Sequence, residues 1–191
     1  MTSLSAVRSG LSACFVGGLT ALGAAWGAGC GTAADGGAMA VELGTGTIAF
    51  EPLEDEAEIG LVTGPQGGHH VIVHARARSL DPGDPLDPSA PGNPHTVFLA
   101  FDLDGERLDM RTADYTLGYL ADGDWYVLPS GRLMIMNEDV LPTIGDRVRL
   151  RVELTDRSGE TAASELVVRI ADGGTTRGDA GLPDGDADSG P

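Results

Sequence analysis

The stretch DRVRLRVELTD, residues 146–156, decides the fold class of this 191-residue chain. Charged and hydrophobic side chains alternate along most of its length. The hydrophobic ones are Val148, Leu150, Val152 and Leu154. Successive side chains of a β-strand point to opposite faces, so this period of two predicts a strand with one buried face.

The turn sequence Asp156-Arg157-Ser158-Gly159 joins this strand to a second one, whose inward side chains are predicted to be Leu166, Val168 and Ile170. Other short alternating runs are separated by turn residues. They predict strands at residues 47–50, 57–62, 69–78, 96–103, 125–128 and 132–136. About seven to nine short strands without helical periodicity predict an all-β fold, a single antiparallel β-sandwich over residues 41–171.

Two segments resemble known families. Residues 148–170, VRLRVELTDRSGETAASELVVRI, resemble the closing strands of Ig-like bacterial surface domains. Residues 42–71, ELGTGTIAFEPLEDEAEIGLVTGPQGGHHV, are similar to the opening of exported lipoproteins of high-GC bacteria. The first resemblance implies an Ig-like β-sandwich, and the second implies export without a particular activity.

The first 30 residues differ in composition from the rest of the chain. Arg8 is their only charged residue, and the apolar, glycine-rich run after it predicts a signal peptide over residues 1–29. The small residues before Cys30, in WGAGC, resemble the lipobox of bacterial lipoproteins. That resemblance implies cleavage before Cys30 and a lipid on this cysteine. An ordinary signal peptide cleaved after Ala38-Met39-Ala40 is the alternative.

A lipid on Cys30 would make the membrane a partner of this chain. Residues 30–40 would then form a lipidated tether. In lipoproteins of this type, a residue other than aspartate after the lipidated cysteine implies transfer to the outer membrane of the cell envelope, and here that residue is Gly31. The acidic, glycine-rich residues 172–191 predict a disordered tail. No cysteine follows Cys30, which excludes a disulfide and a cysteine metal site from the domain.

The net charge of −17 limits the partners of the chain. It comes from 29 acidic and 12 basic residues, and all the basic residues are arginines. Such a chain repels polyanions, so a nucleic-acid partner is excluded. The sequence also contains no nucleophile elbow, phosphate loop, zincin helix or dinucleotide fingerprint. An enzyme is therefore not predicted, and a cryptic hydrolase whose acids meet only on folding is the least favoured alternative.

Three of the four histidines lie in GPQGGHHVIVHARAR, residues 64–78. In a regular strand His70 and His74 share one face but lie about 13 Å apart along it, and His69 points to the other face. Metal–nitrogen bonds are about 2 Å long, so these histidines alone do not form a compact site. The favoured interpretation is a strand with solvated histidines.

A copper site is the alternative metal prediction for this segment. Met134 and Met136 share one face of a predicted strand and carry the soft thioether groups that Cu(I) prefers. The site requires this methionine face to meet His70, His74 or His95. Packing within the sheet is the more ordinary role of two such methionines.

The segment Asp102-Leu103-Asp104-Gly105-Glu106 predicts a candidate calcium site. Asp102 and Asp104 are two residues apart and share a strand face, with Glu106 in the turn. Carboxylate oxygens at this spacing can bind Ca²⁺. The simpler interpretation is an Asp-Gly turn without any cofactor.

Loop residues 80–94, LDPGDPLDPSAPGNP, carry a proline at every third position from Pro82 to Pro94. Polyproline II has three residues per turn, so a rod with one proline edge could bind a protein partner. A stiff connector between strands is the favoured interpretation.

Together these features predict a cell-envelope lipoprotein whose β-sandwich is a binding or structural module. The alternative is a periplasmic metal-binding protein, for copper or calcium.

Overall fold

The computed structural model describes residues 37–175; Cys30, the predicted signal peptide and most of the predicted tail lie outside this range. The described part is all-β, with one short 3-10 turn at Glu138–Val140. Its strands are β1 (Ala40–Thr45), β2 (Glu51–Pro52), β3 (Glu58–Thr63), β4 (His69–Arg78), β5 (His95–Phe101), β6 (Ala113–Thr116), β7 (Leu120–Asp122), β8 (Trp125–Val127), β9 (Arg132–Ile135), β10 (Arg147–Thr155) and β11 (Thr161–Thr175).

Strand β4 pairs with four other strands. Both β3 and β9 pair with His70, so they lie on opposite edges of its first half. Both β1 and β8 pair with Arg76, so they lie on opposite edges of its second half. The main strand order is β2-β1-β4-β3-β11-β10-β5-β6, and β7 pairs with β8. The result is one curled sheet in which β4 belongs to both groups of strands.

The alternation in β10 is confirmed. Its four predicted inward side chains, Val148, Leu150, Val152 and Leu154, are each at most 1% exposed. In β11, Val168 and Ile170 are buried as predicted, and Leu166 is partly buried against the same core. The hairpin turn is also confirmed, because Asp156 and Glu160 hydrogen-bond through their backbones.

The predicted purely antiparallel arrangement is wrong at one pair of strands. Strand β3 runs parallel to β11, with Ile59 opposite Ile170. A parallel pair needs a long connection, and here the chain from β4 to β10 separates the two strands. Hydrophobic alternation is the same for parallel and antiparallel strands, so the sequence pattern did not distinguish them. The strands also number eleven among the described residues, more than the seven to nine predicted.

Regular structure extends beyond residues 41 and 171, the predicted limits of the domain, at both ends. Strand β1 begins at Ala40, and the side chain of Met39 is already in the core. At the other end β11 continues through the Asp-Gly-Gly sequence to Thr175, four residues into the predicted tail. Glycine is needed here because a Cβ on Gly173 would lie 2.7 Å from Val62 Cγ2. The glycines that predicted disorder instead let β11 and β3 approach closely.

The segment after β5 closes the curled sheet at one end. Leu108 N donates to Ala100 O on one side, and Met110 N donates to Ile135 O on the other. Asp109 fixes this segment: its buried carboxylate accepts hydrogen bonds from Ala100 N at 3.0 Å and from Arg107 Nη2 at 2.5 Å. Among the described residues no backbone ladder joins β6 to β9.

The core face of β10 can be tested with a matched pair of neighbours. Leu150→Ala should lower the free energy of unfolding by about 2–5 kcal/mol, since it removes a buried side chain and leaves a cavity. Arg149→Ala should change it by about 0.5 kcal/mol or less, because the contacts of Arg149 are solvent-accessible: an ion pair with Glu165 at 3.5 Å and a hydrogen bond to Leu103 O at 3.2 Å. Urea melts in which Arg149→Ala is the more damaging change would contradict this register.

Candidate functional site

The outer face of β4 holds the histidines singled out in the sequence. His70 and His74 share this face as predicted, but their environments differ. His74 is completely buried: its Nε2 donates to the carbonyl oxygen of Leu128 at 2.9 Å, and its ring meets the edge of Phe50 at 5.6 Å between centroids. The prediction of a solvated strand histidine is therefore wrong for His74.

A loop from β1 to β2 produces this burial. It crosses the outer face of β4, where Thr45 Oγ1 donates to Ile72 O at 2.8 Å and Gly131 N donates to Thr47 O at 3.0 Å. Gly131 has to be glycine, since a Cβ there would lie 2.2 Å from the carbonyl oxygen of Gly46. Nothing in the local sequence of β4 could have predicted this cover, because the loop is more than twenty residues away.

His69, the first histidine of the strand, lies next to an acidic side chain. His69 Nδ1 lies 3.0 Å from Glu138 Oε2, and its backbone N–H donates to Glu138 Oε1 at 2.9 Å. These hydrogen bonds from His69 lower the pKa of Glu138. His70 has no such partner, and its pKa is lowered, first by burial and then by the neighbouring His69.

An aromatic–arginine stack, made of Phe50, Arg76, Trp125 and Arg78, occupies the other end of the same face. The guanidinium of Arg76 lies between two rings, 4.7 Å from the centroid of Phe50 and 4.4 Å from that of Trp125. Arg76 Nε also donates to Glu42 Oε2 at 2.8 Å. Arg78 lies over Trp125 at 5.3 Å and is exposed. Sequence reasoning missed this stack because its members come from three separate strands and loops.

The methionines predicted for copper lie in the core. Met134 pairs with Val71, whose side chain points inward, and both methionines are at most 1% exposed. Directly opposite residues share a face of the sheet. His70 pairs with Ile135 and therefore lies on the opposite face from Met134 and Met136. A copper site that combines His70 or His74 with these methionines is therefore wrong.

The remaining predicted ligands are separate. His95 lies on β5 and its Nε2 is 3.0 Å from Asp114 Oδ1. In the calcium candidate, Asp102 Oδ1 accepts a hydrogen bond from Glu106 N at 2.7 Å, so it caps its own turn, and Asp104 is exposed. No group of three or more His, Cys, Asp or Glu side chains within residues 37–175 is arranged to hold a metal ion.

A cleft with a volume of about 510 Å³ lies beside this turn. Asp102, Glu106 and Asp146 border it, together with Arg147 and Arg169. Both arginines already pair with Glu56. The cleft therefore combines an apolar floor with charges that are largely balanced within the protein.

The proline-rich loop is not a polyproline II rod. Three successive turns have proline as their first central residue, at Pro85-Leu86, Pro88-Ser89 and Pro91-Gly92. The loop is also held internally, because Ala90 N donates to Asp87 O and Asp84 N donates to Asn93 Oδ1. The period of three thus reflects repeated β-turns, in which proline favours the second position and aspartate the first. The connector interpretation fits this geometry.

Comparisons with known proteins give no family for this chain. No protein-family model matches it, and no curated protein matches it significantly. Among residues 37–175 there is no helix long and apolar enough to span a membrane.

The protonation of His70 gives a test of this face. We expect its pKa, followed by NMR, to lie below the ordinary value of 6.5, because burial disfavours the charged ring. Replacing His69 with glutamine should raise it. In the wild-type protein a lowered pKa means that the folded state binds a proton at His70 less readily than the unfolded state does. The contribution of neutral His70 to the free energy of unfolding is therefore fully present above pH 6.5 and is lost as the pH falls through the lowered pKa. Titration of His70 at or above 6.5 would contradict the placement of this ring.

Proposed function

We propose that this chain is an exported lipoprotein of the cell envelope, anchored through a lipid on Cys30, and that its β domain is a binding module. We propose the outer membrane as its location, because the residue after Cys30 is Gly31 and not an aspartate. The proposal rests on the lipobox-like sequence and on the position of the first core residue relative to it.

The spacing between Cys30 and the core supports the lipid anchor. Met39 is the first side chain in the core, nine residues after Cys30. Its backbone N donates to Glu160 Oε1 at 3.0 Å, across the domain. Nine residues span at most about 30 Å, so a lipid on Cys30 would hold the domain close to the membrane. Cleavage after Ala40, the alternative, would remove Met39 from the core, and we therefore favour cleavage before Cys30.

The aromatic–arginine stack supports the binding role. Tryptophan and arginine are enriched in the energetically important parts of protein interfaces. Here Phe50 and Trp125 hold Arg76 in one orientation, so binding would cost little additional ordering of this side chain. Arg78, exposed beside the stack, adds a positive charge to an acidic protein. A segment of another envelope protein is the partner that we propose for this surface.

An Ig-like sandwich remains our proposal for the finer description of the fold. Two observations support it: the strands on either side of β4 bury one common core, and the closing β10–β11 hairpin has the predicted register. The parallel β3–β11 pair has to be accommodated by any such assignment.

The anchor is tested by replacing each cysteine in turn. Cys30→Ala should abolish incorporation of labelled fatty acid and leave the protein soluble or unprocessed, because the thiol is the proposed attachment point. Cys14→Ala is the matched control and should change neither result, since Cys14 lies in the proposed signal peptide. Fractionation and intact-mass measurement report both. A Cys30→Ala protein that stays membrane-bound at the mature mass, with Cys14→Ala released, would refute the assignment.

A further inference from the structure

Arg147 and Arg169 are two like charges that the β10–β11 register places directly opposite each other. Like charges at directly opposite positions of an antiparallel pair are destabilising, so these two guanidinium groups need an anion. Within residues 37–175 the carboxylate that contacts them is that of Glu56, which accepts from Arg147 through Oε1 and from Arg169 through Oε2. One carboxylate therefore serves two guanidinium groups, and the three side chains together keep a net positive charge.

Glu56 supplies this anion from an unusual backbone conformation. Its φ is 65°, in the left-handed region that residues other than glycine rarely adopt, and such a residue persists only where its contacts hold it in place. The arginines keep N–H groups in reserve, since a guanidinium has five. Arg147 uses only Nη2 for Glu56. Arg169 uses Nη2 for Glu56 and Nη1 for Gly145 O at 3.3 Å. The arginine pair can therefore take a second anion beside Glu56.

Both arginines border the cleft of about 510 Å³ that lies beside the Asp102–Glu106 turn. This volume is in the range of small-molecule sites, which are mostly apolar with a few polar groups. The apolar part of the lining includes the buried Leu108 and Val148. A small molecule in this cleft therefore meets an apolar wall and two arginine side chains.

Three carboxylates border the same cleft, and two of them already have backbone partners. Asp102 Oδ1 accepts from Glu106 N at 2.7 Å, and Asp146 Oδ2 accepts from Thr143 N at 2.8 Å. The third belongs to Glu106, and among the residues that the structure describes it has neither a hydrogen bond nor an ion pair. The cleft therefore has one carboxylate that is available to a cation.

The sheet keeps these two kinds of charge apart. Arg169 is on β11, which pairs with one edge of β10, and Glu106 follows β5, which pairs with the other edge. Arg147 begins β10 between them. Neighbouring strands are about 4.8 Å apart, so a ligand that satisfies both sides of the cleft has to carry a separated positive and negative group.

We propose that this cleft binds a hydrophobic α-amino acid in its zwitterionic form. Its carboxylate pairs with the N–H groups of Arg147 and Arg169 that Glu56 leaves free, because the parallel N–H groups of a guanidinium match the two oxygens of a carboxylate. Its ammonium group pairs with Glu106, and its side chain lies against the apolar wall. This site is separate from the aromatic–arginine stack and does not depend on how the protein is anchored.

The experiment is a calorimetric titration of the full chain with three matched probes. They are L-phenylalanine, phenethylamine, which lacks the carboxylate, and hydrocinnamate, which lacks the ammonium group. We expect saturable binding of phenylalanine, with an affinity about tenfold or more above that of either analogue, because each analogue loses one charge-assisted interaction.

Variants assign the two charged interactions. Arg147→Gln should weaken phenylalanine binding about tenfold and remove its advantage over phenethylamine. Glu106→Gln should remove its advantage over hydrocinnamate. Arg149→Gln is the matched control, because Arg149 lies two positions along the same face of β10, pairs with Glu165 and does not border the cleft. It should leave all three affinities unchanged.

The proposal is overturned if phenylalanine does not bind saturably or if either analogue binds as tightly as phenylalanine. It is also overturned if Arg149→Gln weakens phenylalanine binding as much as Arg147→Gln does. The comparison of the three probes on the wild-type chain decides the question even if a variant fails to fold.

Discussion

The pairing of β4 with four strands is the constraint on which the rest of the structure depends. Its first half hydrogen-bonds to β3 and β9, and its second half to β1 and β8. Neither group of strands can leave without breaking a ladder on β4. Its inward side chains are also among the most buried of the described residues, with Val73, Ala75 and Ala77 fully inaccessible. The same ten residues thus connect the two groups of strands and supply the centre of their common core.

This arrangement also explains what the outer face of β4 can do. Because both edges of the strand are occupied, new contacts are possible only through the side chains that point outward. The β1–β2 loop covers His74, while Arg76 and Arg78 remain at the surface with Phe50 and Trp125.

Local periodicity predicted the strands well where the pattern was strong. The predicted strand 69–78 coincides with β4, and the buried set of β10 is confirmed residue by residue. The failures concern contacts between distant segments. Burial of His74, for example, depends on Phe50, which lies in the β1–β2 loop. The parallel direction of β3 relative to β11 was missed because alternation is the same in parallel and antiparallel pairs, and the strand at Asp172–Thr175 was missed because its composition indicated a tail.

Native-state hydrogen exchange tests the central role of β4 most directly. If β4 holds both groups of strands in one cooperative unit, amides in its two halves, such as Val71 and Ala75, should exchange only through global unfolding and give equal opening free energies. Amides of the short β7 should exchange through local openings at lower free energy. Opening free energies for the two halves of β4 that differ by more than about 1 kcal/mol would show that the two groups of strands unfold separately, and would contradict this account.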